Sequence, residues 1–210
     1  MKFHSRFVAG MAAALALGLV LAASPAAAEC NIDNALFEDN FEFMDVSWGE
    51  PDQNFYVEDE ALVIEGWREQ VNFMTKNEGA NVCVDATIVD ASKPANSPFG
   101  LIFWWADWDN YYHLWVWADG GLEVRRIFKG KSTTVFTTET LALKKGVGKT
   151  NQIELKLKKR DATIIINGTT VRRFKGIQPK DGGVVGITAT SPEDASATFK
   201  FDNLVVSLPE

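Results

Sequence analysis

Apolar and polar residues alternate in short runs from Leu36 onward, and turn-forming residues separate the runs. A period of two is typical of β-strands with one buried face, and no window of a dozen residues carries a helical stripe. The pattern predicts an all-β chain whose strands form two sheets packed face to face, or a barrel. The predicted strands are Phe37–Phe43, Ala61–Glu65, Gln70–Lys76, Val82–Asp90, Phe99–Asp107, Tyr111–Ala118, Leu122–Phe128, Thr133–Leu141, Asn151–Lys159, Ala162–Ile166, Thr169–Phe174, Val184–Ala189 and Ala197–Ser207.

Residues 99–128 carry the most information about function. If Asp109 and Asn110 form a tight turn, alternation places two rows of apolar residues on one face of a hairpin. We expect this face to belong to the core. Its members are Phe99, Leu101, Phe103, Trp105, Tyr112, Leu114, Val116 and Ala118.

The loop before the next strand decides which residues join that core. A two-residue loop at Asp119-Gly120 would bury Glu123 and Arg125 among aliphatic side chains, which is costly unless both charges find partners. A three-residue loop that includes the next glycine keeps both charges outside. Glu123 then lies beside Trp117, and the following outward residue, Arg125, lies beside Trp115. The inward residues of this strand are Leu122, Val124, Arg126 and Phe128.

The outward face of these strands is aromatic and is not needed for the core. Flat indole and phenol rings stack on the C–H faces of pyranose rings, while His, Glu and Arg hydrogen-bond sugar hydroxyls. We therefore expect this face to bind a glycan, unless a loop, a third layer or a partner chain covers it. The predicted ligand-binding residues are Trp104, Trp108, Tyr111, His113, Trp115, Trp117, Glu123 and Arg125.

The beginning of the chain has the pattern of a secretory signal peptide. Lys2 and Arg6 precede the apolar stretch Val8–Ala23, and Ala26-Ala27-Ala28 supplies a small-residue cleavage site. The stretch is shorter than the roughly 20 residues that a spanning helix needs, and no later run is apolar enough to span. The prediction is a cleaved signal peptide at 1–28 and a single domain at 29–210, exported to the bacterial periplasm or the extracellular space.

Composition and charge narrow the possible partners. With 23% charged and 11% aromatic residues, the chain has the composition of a folded protein. Its 28 acidic and 21 basic residues give a net charge of -7, which argues against nucleic acid and an anionic membrane surface as partners. The composition sets no oligomeric state.

The chain has two cysteines, Cys30 and Cys83. In an oxidising compartment a disulfide between them is the first expectation. Two unrelated thiols or a lipid anchor on Cys30 are the alternatives, although Glu29 stands where lipoprotein signals place a small residue. Two cysteines and His113 supply too few ligands for a metal by themselves.

Several segments together carry a family resemblance. They are Phe-Gly-Leu-Ile-Phe-Trp-Trp (99–105), Asp-Asn-Tyr-Tyr-His-Leu-Trp-Val-Trp-Ala-Asp-Gly-Gly-Leu-Glu-Val (109–124), Ile-Glu-Leu-Lys-Leu (153–157), Ile-Ile-Asn-Gly (165–168), Gly-Gly-Val-Val-Gly-Ile (182–187) and Phe-Asp-Asn-Leu-Val-Val (201–206). From Leu36 to Ser207 the chain resembles the concanavalin A-like lectin/glucanase jelly roll. It is most similar to laminin-G-like bacterial domains and to family-16-glycoside-hydrolase-like or 3-keto-disaccharide hydrolase-like domains.

The resemblance implies two curved antiparallel sheets whose concave face binds carbohydrate. Family-16 hydrolases carry Glu-x-Asp-x-x-Glu on one strand, which brings two carboxylates to one face at the spacing that retaining hydrolysis requires. This sequence has no such triplet. We therefore expect carbohydrate binding without catalysis. The alternatives are a periplasmic glycoside hydrolase or 3-keto-glycoside-processing enzyme using Glu123, His113 and Arg125, and a structural or protein-interaction domain.

The resemblance also implies a possible cofactor. Many such jelly rolls bind a structural calcium ion near the paired chain termini, which makes Asp39 and Asp202 candidate ligands. The simpler interpretation is that Asp202-Asn203 caps a turn or bulge. No other cofactor is expected.

Overall fold

The computed structural model describes residue 30 and residues 33–209. The predicted signal peptide at 1–28 lies outside these described residues, so the division of the chain into a signal peptide and one domain at 29–210 stays a prediction.

Regular structure in the described residues is nearly all β, as the alternation predicts. Two short 3₁₀ helices lie at Val46–Trp48 and Pro94–Asn96. The strands are β1 (Ala35–Asp39), β2 (Phe55–Glu58), β3 (Ala61–Glu65), β4 (Arg68–Asn77), β5 (Gly79–Ala91), β6 (Phe99–Asp107), β7 (Asn110–Val116), β8 (Gly121–Phe128), β9 (Lys131–Glu139), β10 (Thr150–Lys158), β11 (Asp161–Ile166), β12 (Thr169–Lys175), β13 (Gly183–Ala189) and β14 (Ala197–Ser207).

The sequence prediction missed one strand, β2. It is only four residues long, which is too short for alternation to be visible. It forms because Asp59 and Glu60 adopt left-handed conformations, with φ of 51° and 56°, and so close a tight hairpin onto β3.

The strands form two antiparallel sheets that pack face to face. The order in the eight-stranded sheet is β12-β11-β10-β5-β14-β3-β2, with β1 pairing with β14, and the order in the six-stranded sheet is β4-β13-β6-β7-β8-β9. The core between them is apolar, with Val82, Ile153 and Phe199 from the first sheet meeting Leu101 and Leu114 from the second. The predicted two-sheet sandwich is confirmed.

Strands β6, β7 and β8 are consecutive and antiparallel, as predicted. Leu114 and Val116 lie in the core, whereas Trp115 and Trp117 point to the other side of the sheet. The register differs from the prediction by two residues, because Glu123 lies opposite Trp115 rather than Trp117. A shift of two leaves every side chain on its predicted face.

The prediction is wrong for Trp104 and Trp105. A β-bulge between Phe103 and Asp107 exchanges their faces, so that Trp104 lies in the core and Trp105 on the outer side. Trp104 adopts a left-handed conformation with φ of 48°. Its ring packs so closely under Gly176 that a Cβ there would lie 2.2 Å from it, so only glycine fits above the inward ring.

The predicted inward residues at the far end of β8 are only partly accommodated. Phe128 is 47% exposed, so its predicted place in the core is wrong. Arg126 keeps its predicted side of the sheet and stacks on the rings of Phe128 and Tyr112, with its guanidinium carbon 4.4 Å and 5.9 Å from their centroids. The long side chain reaches the edge of the sandwich there, so no charge is trapped in the core.

The predicted disulfide between Cys30 and Cys83 is confirmed. It joins the segment before β1 to the middle of β5. The remaining alternatives, free thiols and a lipid anchor on Cys30, are thereby excluded.

Candidate functional site

The outer side of the six-stranded sheet carries an unbroken series of rings, which we call the aromatic face. Neighbouring ring centroids along the series lie between 4.7 and 6.2 Å apart, mostly in edge-to-face contact. This is the usual geometry of favourable aromatic pairs. In order, the rings belong to Phe73, Trp105, Trp108, Tyr111, His113, Trp115 and Trp117.

The rings on this face shield one another. Trp105 and Tyr111 belong to a small apolar cluster with Val71, Ile102 and Val184, and every member lies on a strand of this same sheet. Their burial is lateral and requires no further layer of protein above them. At the rim, Trp108 is 50% exposed and Phe73 is 64% exposed, so the series keeps open indole and phenyl surface.

A glycine on β6, Gly100, lets the indole of Trp115 lie across the sheet. Trp115, Gly100 and Thr188 are directly opposite one another on β7, β6 and β13, and the indole N–H of Trp115 donates to the Thr188 hydroxyl at 3.3 Å. The indole must therefore cross β6 above Gly100. A Cβ at that glycine would lie 2.2 Å from the Leu114 carbonyl oxygen, so the position tolerates no side chain.

A half-buried carboxylate, Glu69, organises one half of the face. Its Oε2 accepts a 3.0 Å hydrogen bond from the Tyr111 hydroxyl, and its Oε1 lies 2.9 Å from Nε2 of His113, off the line of the N–H bond. Burial by itself would raise the pKa of Glu69, but His113 and Tyr111 outweigh it and hold this pKa below its ordinary value. Burial and the nearby Glu69 charge in turn raise the pKa of Tyr111.

A second carboxylate, Glu123, organises the other half. Its Oε1 accepts hydrogen bonds from the Arg125 guanidinium and, at 3.1 Å, from the Thr134 hydroxyl. The Arg125 guanidinium carbon also lies 4.9 Å from the centroid of the Trp115 ring, in a cation–π contact. The opposite ring neighbour of Trp115 is His113, stacked at 4.7 Å. Trp115 therefore lies at the centre of the face, between the half that contains Glu69 and the half that contains Glu123.

Glu69 and Glu123, the two carboxylates of the aromatic face, lie on strands that are not neighbours in the sheet. Through the paired residues of the sheet, Glu69 and Glu123 are separated by four strand spacings, or about 19 Å between backbones. Hydrolases hold their two carboxyl groups about 5–5.5 Å apart for retention and about 6.5–9.5 Å apart for inversion. The Glu69 carboxylate reaches His113 on β7, the strand next to that of Glu123, so the backbone spacing does not give the distance between the two carboxyl groups.

A closer pair lies at the end of the aromatic face. Glu139 and Glu123 are diagonal neighbours on β9 and β8, a relation that sets side chains about 7–8 Å apart. Both line a cleft of about 460 Å³ next to Trp117. Glu123 is already engaged by Arg125 and Thr134, which leaves this pair without two free carboxyl groups.

The candidate calcium ligands are engaged by their own chain. The carboxylate of Asp39 accepts from the Phe41 amide and from the Trp48 indole, and that of Asp202 accepts from Asn203. Within residues 30 and 33–209, no group of three or more His, Cys, Asp or Glu side chains could hold a metal ion. The sequence-based expectation of a structural calcium ion at Asp39 and Asp202 stays a prediction.

The structure brings seven of the eight predicted ligand-binding residues to one face and removes Trp104. It adds Glu69, Phe73, Trp105 and Thr188. Alternation in Glu69, Val71 and Phe73 could have suggested the first two. Their place on the aromatic face depends on the pairing of β4 with β13, which joins residues more than a hundred positions apart.

This architecture, with an aromatic outer face on the six-stranded sheet, is a concanavalin A-like jelly roll, as the sequence resemblance implies. No protein family matches the sequence, and no curated protein matches it either. Among the described residues, no helix is long and apolar enough to cross a membrane.

Solved structures agree on the fold. The carbohydrate binding module CBM66 from Bacillus subtilis superposes with a TM-score of 0.61 at 16% identity, covering 75% of this chain and 92% of that one. A β-glucanase from Bacillus licheniformis gives 0.63 at 6% identity, covering 82% and 97%. The catalytic domain of an endo-1,3-β-glucanase (laminarinase) from Thermotoga petrophila gives 0.60 at 9% identity, covering 84% and 98%. At such identities the likeness shows the fold alone.

Proposed function

We propose that this protein is an exported carbohydrate-binding domain that binds a glycan on its aromatic face without cleaving it. The observation that carries the proposal is the unbroken series of rings from Phe73 to Trp117 with exposed indole at its rim. Rings supply flat apolar area for sugar C–H faces, and the charged groups between them offer directional hydrogen bonds to hydroxyls.

The arrangement of charges on the aromatic face favours a glycan as the ligand over a protein partner. A flat protein-binding patch has an apolar centre that is depleted of charged residues. Here Glu69 and Glu123 both lie among the rings, and each contacts side chains from another strand of the same sheet. Fixed polar groups between aromatic plates are what a sugar with many hydroxyls requires.

Export is supported by the Cys30–Cys83 disulfide, because disulfides persist in oxidising compartments and are rare in the cytosol. The jelly-roll neighbours include a carbohydrate binding module and glucanases, which is in keeping with a glycan ligand. The alternative function is a glycoside-processing enzyme, and the specific observation in its favour is the diagonal pair of Glu123 and Glu139 in a cleft.

A glycan array with the mature protein, followed by product analysis on every glycan that binds, tests the proposal. We expect binding and no release of reducing sugar or keto-sugar. Glu123→Gln and Glu139→Gln keep side-chain shape while removing an acid or base, so both variants should retain most of the affinity. Turnover by the wild type that either substitution abolishes would establish the enzyme instead.

A further inference from the structure

Charge is distributed very unevenly along this acidic chain. Residues 144–180 contain eleven lysines and arginines against two acidic residues, a net charge of +9, which leaves -16 for the rest of a chain whose total is -7. The segment forms β10, β11 and β12 at one end of the eight-stranded sheet. The whole-chain charge therefore conceals a strongly basic edge.

This edge contains a cleft of about 610 Å³, which we call the basic cleft. Three separate parts of the chain line it: Lys159 and Arg160 in the β10–β11 turn, Ile177–Lys180 after β12, and Glu78 between β4 and β5. Because three segments of the fold form this cleft, the positions of its cations are fixed relative to one another. Cations on one exposed strand would lack such a shared cavity.

Hydrogen bonds fix the walls of the basic cleft. The Gly176 amide donates to the Arg160 carbonyl at 2.8 Å, and the Arg160 Nε donates back to the Gly176 carbonyl at 3.2 Å. The next amide, of Ile177, donates to the Tyr112 hydroxyl at 3.0 Å, and Gln178 donates to the Glu78 carbonyl. The inward ring of Trp104 supports the same wall from beneath Gly176.

The two lysines of the basic cleft are available to a ligand, whereas Arg160 donates its Nε to the Gly176 carbonyl. Lys159, Arg160 and Lys180 are exposed, and none of them forms an ion pair with another part of the chain that the structure describes. Protection of an exposed sheet edge explains basic residues on β12, since charges there block pairing with other chains. It does not explain three cations that converge from turns and loops on one cavity.

The basic cleft adjoins the aromatic face. Ile177, Gln178 and Pro179 line the cleft on one side and, on the other, a cavity of about 110 Å³ that also contains Tyr111 of the aromatic face. One short wall thus separates the two surfaces. A chain-like ligand that stacks on the rings can continue across this wall and reach the cations.

We propose that the basic cleft binds oxyanions, carboxylate or sulfate, carried along a polysaccharide, so that the ligand class of this protein is an acidic glycan. The glycan part of this inference rests on the proposed function. The anion part rests on the unpaired cations of the cleft. Lysine and arginine bind such groups as charge-assisted hydrogen-bond donors.

The test measures affinity for polygalacturonate, dextran sulfate and neutral dextran at low and physiological salt. Lys159→Gln/Lys180→Gln removes two cations from the cleft. Lys144→Gln/Lys149→Gln removes the same charge from exposed positions before the opposite end of β10 and serves as the matched control. We expect the cleft variant to lose roughly tenfold in affinity for the acidic polymer at low salt, and the control less than about twofold.

Each other outcome has a definite meaning. Equal losses in both double variants would reduce the effect to general charge and overturn the cleft. Binding of dextran with no preference for either acidic polymer would overturn this inference but leave the proposed function standing. Failure of all three polymers, together with a blank glycan array, would overturn both. Cleft-dependent binding of DNA or phosphatidylglycerol vesicles instead would assign the surface to another class of macromolecule.

Discussion

The two faces of the six-stranded sheet are made by the same strands, yet they differ in what they bury. The inner face buries mainly aliphatic and aromatic side chains such as Leu101, Leu114 and Val124, and its Arg126 extends to the edge of the sandwich. The outer face buries His113 to 3% exposure and Glu123 to 8% exposure among aromatic rings. Both faces therefore contain buried side chains, but only the outer face buries a histidine and a carboxylate among its rings.

This difference agrees with a folding role for the inner face and with the recognition role that we propose for the outer face. An apolar face stabilises a sheet without needing specific partners, whereas buried charges stabilise it only when every group is paired. A face that keeps Glu69 and Glu123 therefore adds little stability for its size. The strands retain these groups in a position where their polar atoms can meet a ligand.

The largest expected effect concerns the inner face. Leu114→Ala should lower the free energy of unfolding by about 2–5 kcal/mol, because it removes a fully buried side chain and leaves a cavity. Urea denaturation measures it. The solvent-exposed Leu141, 94% exposed, provides the control, since Leu141→Ala should change stability by less than about 0.5 kcal/mol. Equal losses in the two variants would remove the distinction between core and surface here.

On the outer face, Glu69→Gln should destabilise the protein by about 1–3 kcal/mol at neutral pH, because a neutral amide replaces the carboxylate that contacts His113 and Tyr111. The pKa of Glu69 is lowered in the folded state, so its contribution is present above the unfolded pKa of about 4.3 and is lost as pH falls through the lower folded value. Unfolding curves of wild type and variant should therefore converge in acid. A gap that stays constant down to strongly acidic pH would show that the charge is irrelevant.

Trp115→Ala separates recognition from folding. It should weaken glycan binding by about 1–3 kcal/mol, the scale of losing a large stacked contact, while the far-ultraviolet circular dichroism spectrum stays that of the wild type. Phe43→Ala removes an aromatic side chain that is 68% exposed and lies outside the strands, and it should bind like wild type. Unchanged affinity in Trp115→Ala would contradict the assignment of the aromatic face as the binding site.

The smallest expected effect extends the comparison to the outer side of the other sheet. There Asp85 and Asp202 lie directly opposite each other, and burial, followed by nearby acidic groups that include Asp85, raises the pKa of Asp202. A raised pKa destabilises the folded state at neutral pH, so Asp202→Asn should add a few tenths of a kcal/mol at pH 7. Thermal unfolding should show this gain disappear below about pH 4, where the unfolded aspartate is also protonated. Loss of stability in calcium-containing buffer would instead show that the carboxylate holds the ion.

Alternation predicted both faces of β6, β7 and β8 because side-chain direction depends only on the local backbone. It failed at Trp104, where a bulge is stabilised by packing beneath Gly176, a residue more than seventy positions away. Glu69 was missed for the same reason, since β4 reaches the site through β13. What could not be predicted was decided by contacts between distant parts of the chain.

The long β5 strand at Gly79–Ala91 has a consequence for how the protein reaches its native state. Its neighbours are β10 and β14, so Val82 pairs with Leu155 and Val206. The long segments between Val82 and these partners must close into loops before the contacts form, and closure of long loops slows folding. During synthesis β5 is made before β10 and β14, so both of its edges remain unpaired until nearly the whole chain has been synthesised. We therefore expect slow, late and all-or-none acquisition of structure, and a requirement for protection of the nascent chain until its last strand arrives.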